Sequence, residues 1–327
     1  MHVLNHVSFS PLMRSVGRRL IAPFYHAVSD QPLPHIRHLY AHKSIRAFEA
    51  DLDFLLKHYE PIDFHQLGAL QPKKNKPRML LSFDDGLTEF WDPIAPMLLR
   101  KGVPAICFLN SAFIDNRALF FRYKASLIID AFENQHLERT ARVYLLGKGY
   151  THISSLKTWL LSLRYHEQSL LDELAAVLGI DFSQFLARQQ PYLTTIQIES
   201  LIQKGFHFGA HSIDHPEYRW LSLEEQLRQT VGSIEYISNR FGLGYRLFSF
   251  PFTDYGVEKK FFDFMLNDKK AAEYTFGCAG LKTDVHPNHI QRIPMENGSE
   301  TAEQTLKRTF LYFWLKLPLG KNRIQRQ

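Results

Sequence analysis

The stretch "LLSFDDGLTEF", residues 80–90, decides how this chain is read. Leu80, Leu81 and Phe83 make an apolar run suited to a buried strand, and the run ends on Asp84 and Asp85, the only Asp-Asp pair in the sequence. Charged groups are costly to bury unless they are paired, hydrogen-bonded or bound to a metal. Two carboxylates at a strand end therefore mark a site, or else a turn in which both cap the next helix.

Working outward from that pair, the segments alternate. "IAPFYHAV" (21–28) reads as a strand that ends near His26. Ser44 then opens a helix with Ile45, Phe48, Leu52 and Leu55 at helical spacing. "RMLLSF" (78–83) is a second strand, "DPIAPMLLRKG" a helix that Gly102 terminates, and "VPAICFLN" (103–110) a third strand. This order predicts a parallel sheet with crossover helices. From about 115 to 190 the pattern is helical, as in "SSLKTWLLSLRYHEQSLLDELAAVLG", and reads as an insertion beside the main fold with no chemistry of its own. The alternation then resumes. Thr194 with Gln197 is a capping box, "FHFGAH" (206–211) a strand, and Ser222 with Glu225 opens a helix carrying Leu227, Val231 and Ile234. "RLFSFP" (246–251) and "IQRIPM" (290–295) bring the count to at least six strands.

Parallel α/β folds bind ligands at the carboxyl ends of their strands. Asp84, Asp85, His26, His211 and "FPFTDYG" (250–256) all fall at such ends. His-x-x-x-His spacing can bring two imidazoles to one metal, but it occurs four times here, at 2/6, 38/42, 207/211 and 211/215. The last pair stands out because it follows a strand and a distant Asp pair could complete it. Two histidines and one carboxylate leave positions for water on a zinc-like ion, whose charge makes that water a nucleophile near neutral pH. The second aspartate is then free to accept the water's proton.

Composition narrows the class. The chain has 327 residues, 45% hydrophobic and 22% charged, enough for a sizeable core. The net charge of +6 is spread along the chain except near its C-terminal end, and no phosphate loop, zinc-finger spacing or arginine-rich arm is present, which argues against nucleic acid. Cys107 and Cys278 both sit among apolar neighbours and are expected to be buried thiols. The first residues lack the apolar core of a signal peptide, and no run approaches a membrane span, so the expected location is the cytoplasm.

"SFDDG" followed by "HSIDH" resembles the first two motifs of the polysaccharide deacetylases, carbohydrate esterase family 4 with its NodB homology domain. "LIQKGFHFGAHSIDHPEYRWLSLEEQL" and "SIRAFEADLDFLLKHYEPIDFHQL" resemble the passages around those motifs. The resemblance covers roughly 20–115 and 193–296. It implies a distorted (β/α)7-type barrel, here over 20–300 with the helical insertion, that removes acetyl groups from sugars with one divalent metal. Zinc is the default, and iron, cobalt or nickel suit the same ligands. Carried over by residue, Asp84 becomes the catalytic base and Asp85, His211 and His215 the metal ligands. "FSFPF" resembles the third motif, where the backbone N–H of Phe252 helps to stabilise the oxyanion. "PFYHAVSD" resembles the permuted arrangement of the poly-N-acetylglucosamine deacetylases, in which a Tyr-His on the first strand supplies the general acid, here His26.

Three departures accompany the match. The arginine that steadies the base in many members corresponds to Ser249, with Arg292 on a late strand as a substitute. "FTDYG" replaces a compact "YG" after Pro251. Asp214, inside the histidine motif, is either a support for the metal ligands or a turn residue, and the turn is favoured. The segment 301–327 has one apolar face, Leu306, Phe310, Phe313 and Leu317, among basic residues. It reads as a helix docked on the barrel with a solvated basic tail, with peripheral contact to an anionic membrane as the second reading. The expected activity is metal-dependent deacetylation of an N-acetylated glycan. The alternatives are an amidohydrolase on non-sugar amides and a non-catalytic carbohydrate-binding protein.

Overall fold

The computed structural model describes residues 8–17, 19–68, 76–135 and 137–326. Its eleven strands are β1 (Leu20–Ile21), β2 (Pro23–Tyr25), β3 (Glu60–Pro61), β4 (Arg78–Met79), β5 (Leu81–Phe83), β6 (Ala105–Leu109), β7 (His207–Ala210), β8 (Leu247–Ser249), β9 (Tyr274–Gly277), β10 (His289–Gln291) and β11 (Ile293–Pro294). Eight of them form one parallel sheet in the order β10-β9-β8-β7-β6-β5-β2-β11. Because β10 and β11 are one extended run broken only at Arg292, that run pairs with β9 on one side and β2 on the other. A single segment thus nearly closes the sheet into a barrel, giving seven extended runs, as the resemblance implied. A three-stranded sheet, β1-β4-β3, lies ahead of the amino ends of β2 and β5.

Local chemistry explains the helices between the strands. Ser44 caps Ile45–His58 by accepting from the Ala47 N–H, and Gly102 ends Ile94–Lys101 at φ 65°. The Thr194/Gln197 capping box forms, and Ser222 accepts from the Glu225 N–H at the start of Leu223–Phe241. Tyr274–Gly277, a four-residue strand, carries no clear signal in the sequence. It is too short to show a period, and its burial is imposed by neighbours on both edges.

Alternation along the strands sorts side chains into two cores. Ile106 and Phe108 pack with Leu80, Leu247 and Phe276 inside the barrel, whereas Cys107 and Leu109 face the helices outside. Between 121 and 189 five helices build a third cluster around Ile128, Leu145, Leu160 and Leu171. Cys107 is fully buried as expected, but Cys278 is only partly so and lines a cleft at the barrel mouth.

Candidate metal centre and catalytic cleft

Pairing with the neighbouring strands places the two aspartates. β5 pairs with β2 and β6, and the Asp84 N–H still continues that ladder by donating to the Tyr25 carbonyl at 3.0 Å. Asp85 then turns at φ 70° and Gly86 at φ 63°. A Cβ on Gly86 would come within 2.7 Å of the Leu109 side chain, so the glycine is required both by conformation and by close approach. On β7 the His211 N–H donates to the Leu109 carbonyl at 2.8 Å, and the chain folds back through Ser212 (φ 71°) to His215 (φ 65°). The Ser212 hydroxyl accepts from the His215 N–H at 2.9 Å and holds that return. Left-handed residues other than glycine cost of order 1–3 kcal/mol each and persist where the surroundings enforce them. Here Asp85, His215 and Phe252 (φ 54°) line one cleft, and Ser212 is buried in the return between the two histidines.

The return brings three ligand atoms together. Asp85 Oδ1 lies 3.5 Å from His211 Nε2 and 3.2 Å from His215 Nε2. It is buried and makes no hydrogen bond. A tetrahedral ion with bonds of about 2.0–2.2 Å has ligand–ligand edges of about 3.4 Å, so this spacing fits one zinc-like ion. The His211 Nδ1–H donates to the Ser249 carbonyl at 2.8 Å; a carbonyl only accepts, so Nε2 carries the free lone pair. Burial pulls the His211 pKa down to about 4, which keeps the imidazole in its neutral ligand form. His215 is wedged between Phe120 and Phe252, with ring centroids at 4.2 and 4.7 Å.

Of the three His-x-x-x-His pairs among the described residues, only 211/215 converges in this way. His2 and His6 lie outside the described residues. His207 opens β7 at the far end of the barrel, where it faces Asp63. Among the described residues two other groups have metal-like composition: Asp63, His65 and His207, partly exposed, and Asp254, Asp284 and His289. In the latter the Arg326 guanidinium already bonds both carboxylates.

Asp84 is held differently from its neighbour. Arg292 donates to both of its oxygens at 2.7 Å, to Ser249 Oγ at 2.6 Å and to Ser82 Oγ at 3.0 Å. Ser82 and Ser249 are small inward-facing residues that leave room for this guanidinium, which lies over the Phe24 ring at 4.2 Å. The departure at Ser249 is thereby explained: the arginine that steadies Asp84 comes from the last strand run instead. Burial pushes the Asp84 carboxyl up, but Arg292, joined by His211 and His26, brings the pKa below the ordinary carboxylate value.

His26 stands on another wall of the same cleft, 24% exposed, with Nδ1 at 2.5 Å from Glu296 Oε2. Glu296 also accepts from the backbone N–H groups of His26 and Ala27, both at 3.0 Å. Burial alone would lower the His26 pKa, yet the Glu296 carboxylate, joined by Asp85 and Asp84, overrides it and raises the value to about 9. His26 is therefore a proton donor at pH 7. Glu296, distant in sequence and unsignalled, becomes adjacent only through the β11–β2 pairing. Replacing it with Gln keeps hydrogen-bonding groups but removes the charge that offsets burial. The alkaline limb of kcat/KM, expected near pH 9, then moves down toward or below the ordinary histidine value; an unmoved limb would show that His26 is not the titrating acid.

The helical segment does take part in the site, contrary to the sequence-based expectation. Tyr123 is buried and its hydroxyl donates to Asp85 Oδ2 at 2.9 Å, leaving Oδ1 for the histidines. Burial, reinforced by Asp85, raises the phenol pKa well above 10, so the hydroxyl remains a donor. Phe120, Arg122 and Leu161 line the cleft as well. A Tyr123→Phe variant is expected to bind zinc about 10- to 100-fold more weakly, measured by competition with a chromophoric chelator. Equal affinity would mean that the hydroxyl does not orient Asp85. Asp214 accepts from the Tyr165 hydroxyl at 2.5 Å and from Gln229 Nε2 at 2.7 Å, so it ties the histidine loop to the helical segment and is not part of the cleft. The third-motif loop is pinned at Asp254, which binds His289 at 3.1 Å and Gln291 at 2.9 Å.

The sequence profile of the polysaccharide deacetylases matches residues 71–145 and 170–277. This chain belongs to the polysaccharide deacetylase family. Among solved structures, a Streptococcus pyogenes deacetylase, PplD, solved with acetate, is similar at TM-score 0.56 and 12% identity over 88% of this chain and 96% of that one. IcaB from Ammonifex degensii is similar at 0.53 and 14% identity, covering 89% and 96% of the two chains. A de-N-acetylase from Aggregatibacter actinomycetemcomitans is similar at 0.53 and 14%, covering 89% and 99%. At these identities the likeness establishes the deacetylase barrel, and the family match establishes a hydrolase that deacetylates glycans. None of the curated proteins matches the sequence.

Proposed function

We propose that this family member is a divalent-metal-dependent N-deacetylase acting on N-acetylated sugar residues of a glycan. The observation that carries the proposal is the unbonded Asp85 Oδ1 facing two histidine nitrogens beside an arginine-clamped Asp84. Asp85, His211 and His215 would hold the ion, which would supply Lewis acidity for hydrolysis of the acetyl group when bound. Asp84, kept ionised by Arg292, accepts the water's proton as the new C–O bond forms. The Phe252 N–H donates to the developing oxyanion. His26, charged through Glu296, protonates the sugar nitrogen as the C–N bond breaks, and acetate leaves. Tyr40, Phe120, Phe250 and Phe252 give the cleft, about 420 Å³ in volume, apolar walls against which pyranose faces can pack.

The test is acetate release from N-acetylglucosamine oligosaccharides, set beside O-acetylated sugars and small amides. Metal content is measured on the same samples. Wild type is expected to carry about one zinc-like ion per chain and to lose activity on chelation, regaining it with zinc, cobalt, nickel or iron(II). His215→Ala is expected to lose both ion and turnover. Hydrolysis confined to small amides would replace the sugar assignment with an amidohydrolase. A wild type that takes up no metal would favour a carbohydrate-binding protein.

A further inference from the structure

The C-terminal helix, Ala302–Lys316, carries a feature the catalytic reading does not use. Its first half is docked: Leu306 and Phe310 are buried, and Phe310 packs on Phe9 of the helix Phe9–Val16 at 5.7 Å. Its last turn and the following Leu317–Leu319 turn are not. Leu315 is 74% exposed and Leu319 64%, with Tyr312, Trp314 and Leu317 at 40–55%. The Trp314 indole donates to Ser15 Oγ at 3.0 Å, which fixes one edge of its ring. Five large apolar side chains are therefore presented to solvent within eight residues.

The charges acting on Tyr312 in this patch are all lysines. Lys316 Nζ lies 4.0 Å from the Tyr312 ring centroid, and Lys316, Lys282 and Lys321 together lower the Tyr312 pKa, the Lys316 hydrogen bond acting most. The nearby carboxylates are taken: Glu303 by Lys307 at 2.7 Å, Glu300 by Arg308 at 3.0 Å and Asp284 by Arg326 at 2.7 Å. Arg326 is buried in that pairing, so the tail is partly docked rather than wholly solvated. Exposed leucines and ring edges beside unneutralised lysines complement one surface above others, an anionic lipid headgroup layer over acyl chains. No helix among the described residues is long and apolar enough to cross a membrane.

We propose that this helix end is a peripheral membrane-binding surface. Lys282, Lys316 and Lys321 take anionic headgroups, and Leu315, Leu317 and Leu319 enter the headgroup–acyl boundary. The helix starts beyond Glu296 at the cleft rim and ends about 22 Å away at 1.5 Å per residue, beside Ser15 ahead of β1. The surface thus lies toward the opposite end of the barrel from the cleft, and the bound protein presents its catalytic site to the aqueous side.

The experiment is sedimentation of the full chain with phosphatidylcholine vesicles, with and without phosphatidylglycerol. Wild type is expected to pellet with the anionic vesicles and to be released by salt. Lys316→Gln/Lys321→Gln is expected to lower partitioning about thirtyfold. Leu315→Ser/Leu319→Ser is expected to lower it by about tenfold or more. Both should retain wild-type melting temperature and acetate release from soluble oligosaccharide. A wild type that stays in the supernatant overturns the proposal, as does equal binding to neutral vesicles that the lysine variant leaves unchanged. If the leucine variant instead converts a dimer to a monomer without vesicle binding, a second copy covers the patch.

Discussion

Asp84→Asn is expected to lower kcat by roughly 10²–10⁴-fold while the chain keeps its metal. Asparagine cannot accept a proton, whereas Asp85, His211 and His215, which would hold the ion, are unchanged. The variant also leaves Arg292 nearly buried with an uncharged partner, and removing one member of a buried pair costs about 3–5 kcal/mol. The asparagine oxygen and the two serine hydroxyls still accept from the guanidinium, so the expected cost is at the lower end and the protein folds with a reduced melting temperature. Metal content, melting temperature and single-turnover acetate release should be measured on one preparation. Near-normal turnover in folded, metallated variant would remove Asp84 from the role of base.

Arg292→Met is the complementary experiment, and two effects are expected from one change. Asp84 remains buried, and without the guanidinium the effect of burial dominates, so its pKa rises instead of falling. The acidic limb of the pH–rate profile should therefore move up toward neutrality. Stability should fall at pH 7 by about 3–5 kcal/mol, on the order of 10 °C in melting temperature for a chain of this size. The sign follows from linkage. In wild type the depressed Asp84 pKa contributes stability above the unfolded carboxylate value, and this is lost as pH falls through the lower folded value. In the variant the penalty disappears once Asp84 is protonated, so the gap between the two melting curves should narrow in acid. A gap independent of pH would assign the loss to packing against Phe24 and Phe108 rather than to the ion pair.

These two residues also show how far the sequence could be read. Asp84 and Asp85 were visible because an apolar strand ending on two carboxylates is chemically anomalous, and His211 and His215 because their spacing follows a strand. Arg292 was legible only as a late-strand arginine near a motif that had lost its own. His26 could be placed through the Tyr-His resemblance, but the origin of its charge could not, since Glu296 lies 270 residues away. The helical segment shows no chemistry in the sequence because Tyr123 is one tyrosine on an amphipathic helix, and no sequence period says that its hydroxyl will reach Asp85. Cys278 reads as a core residue from its apolar neighbours, yet it follows the end of β9 and lines the cleft.

What the sequence determined by itself is local. Apolar runs, caps and glycine stops specify strands, helices and their alternation, because these depend on residues within a few positions of one another. From alternation follow a parallel sheet and a rim on which chemistry collects. What the tertiary structure decided is pairing across distance: one run at 289–294 joining both edges of the sheet, Arg292 filling the space left by two serines, Glu296 charging His26 and Tyr123 orienting Asp85. Such contacts depend on barrel closure and packing, and neither leaves a period in the chain.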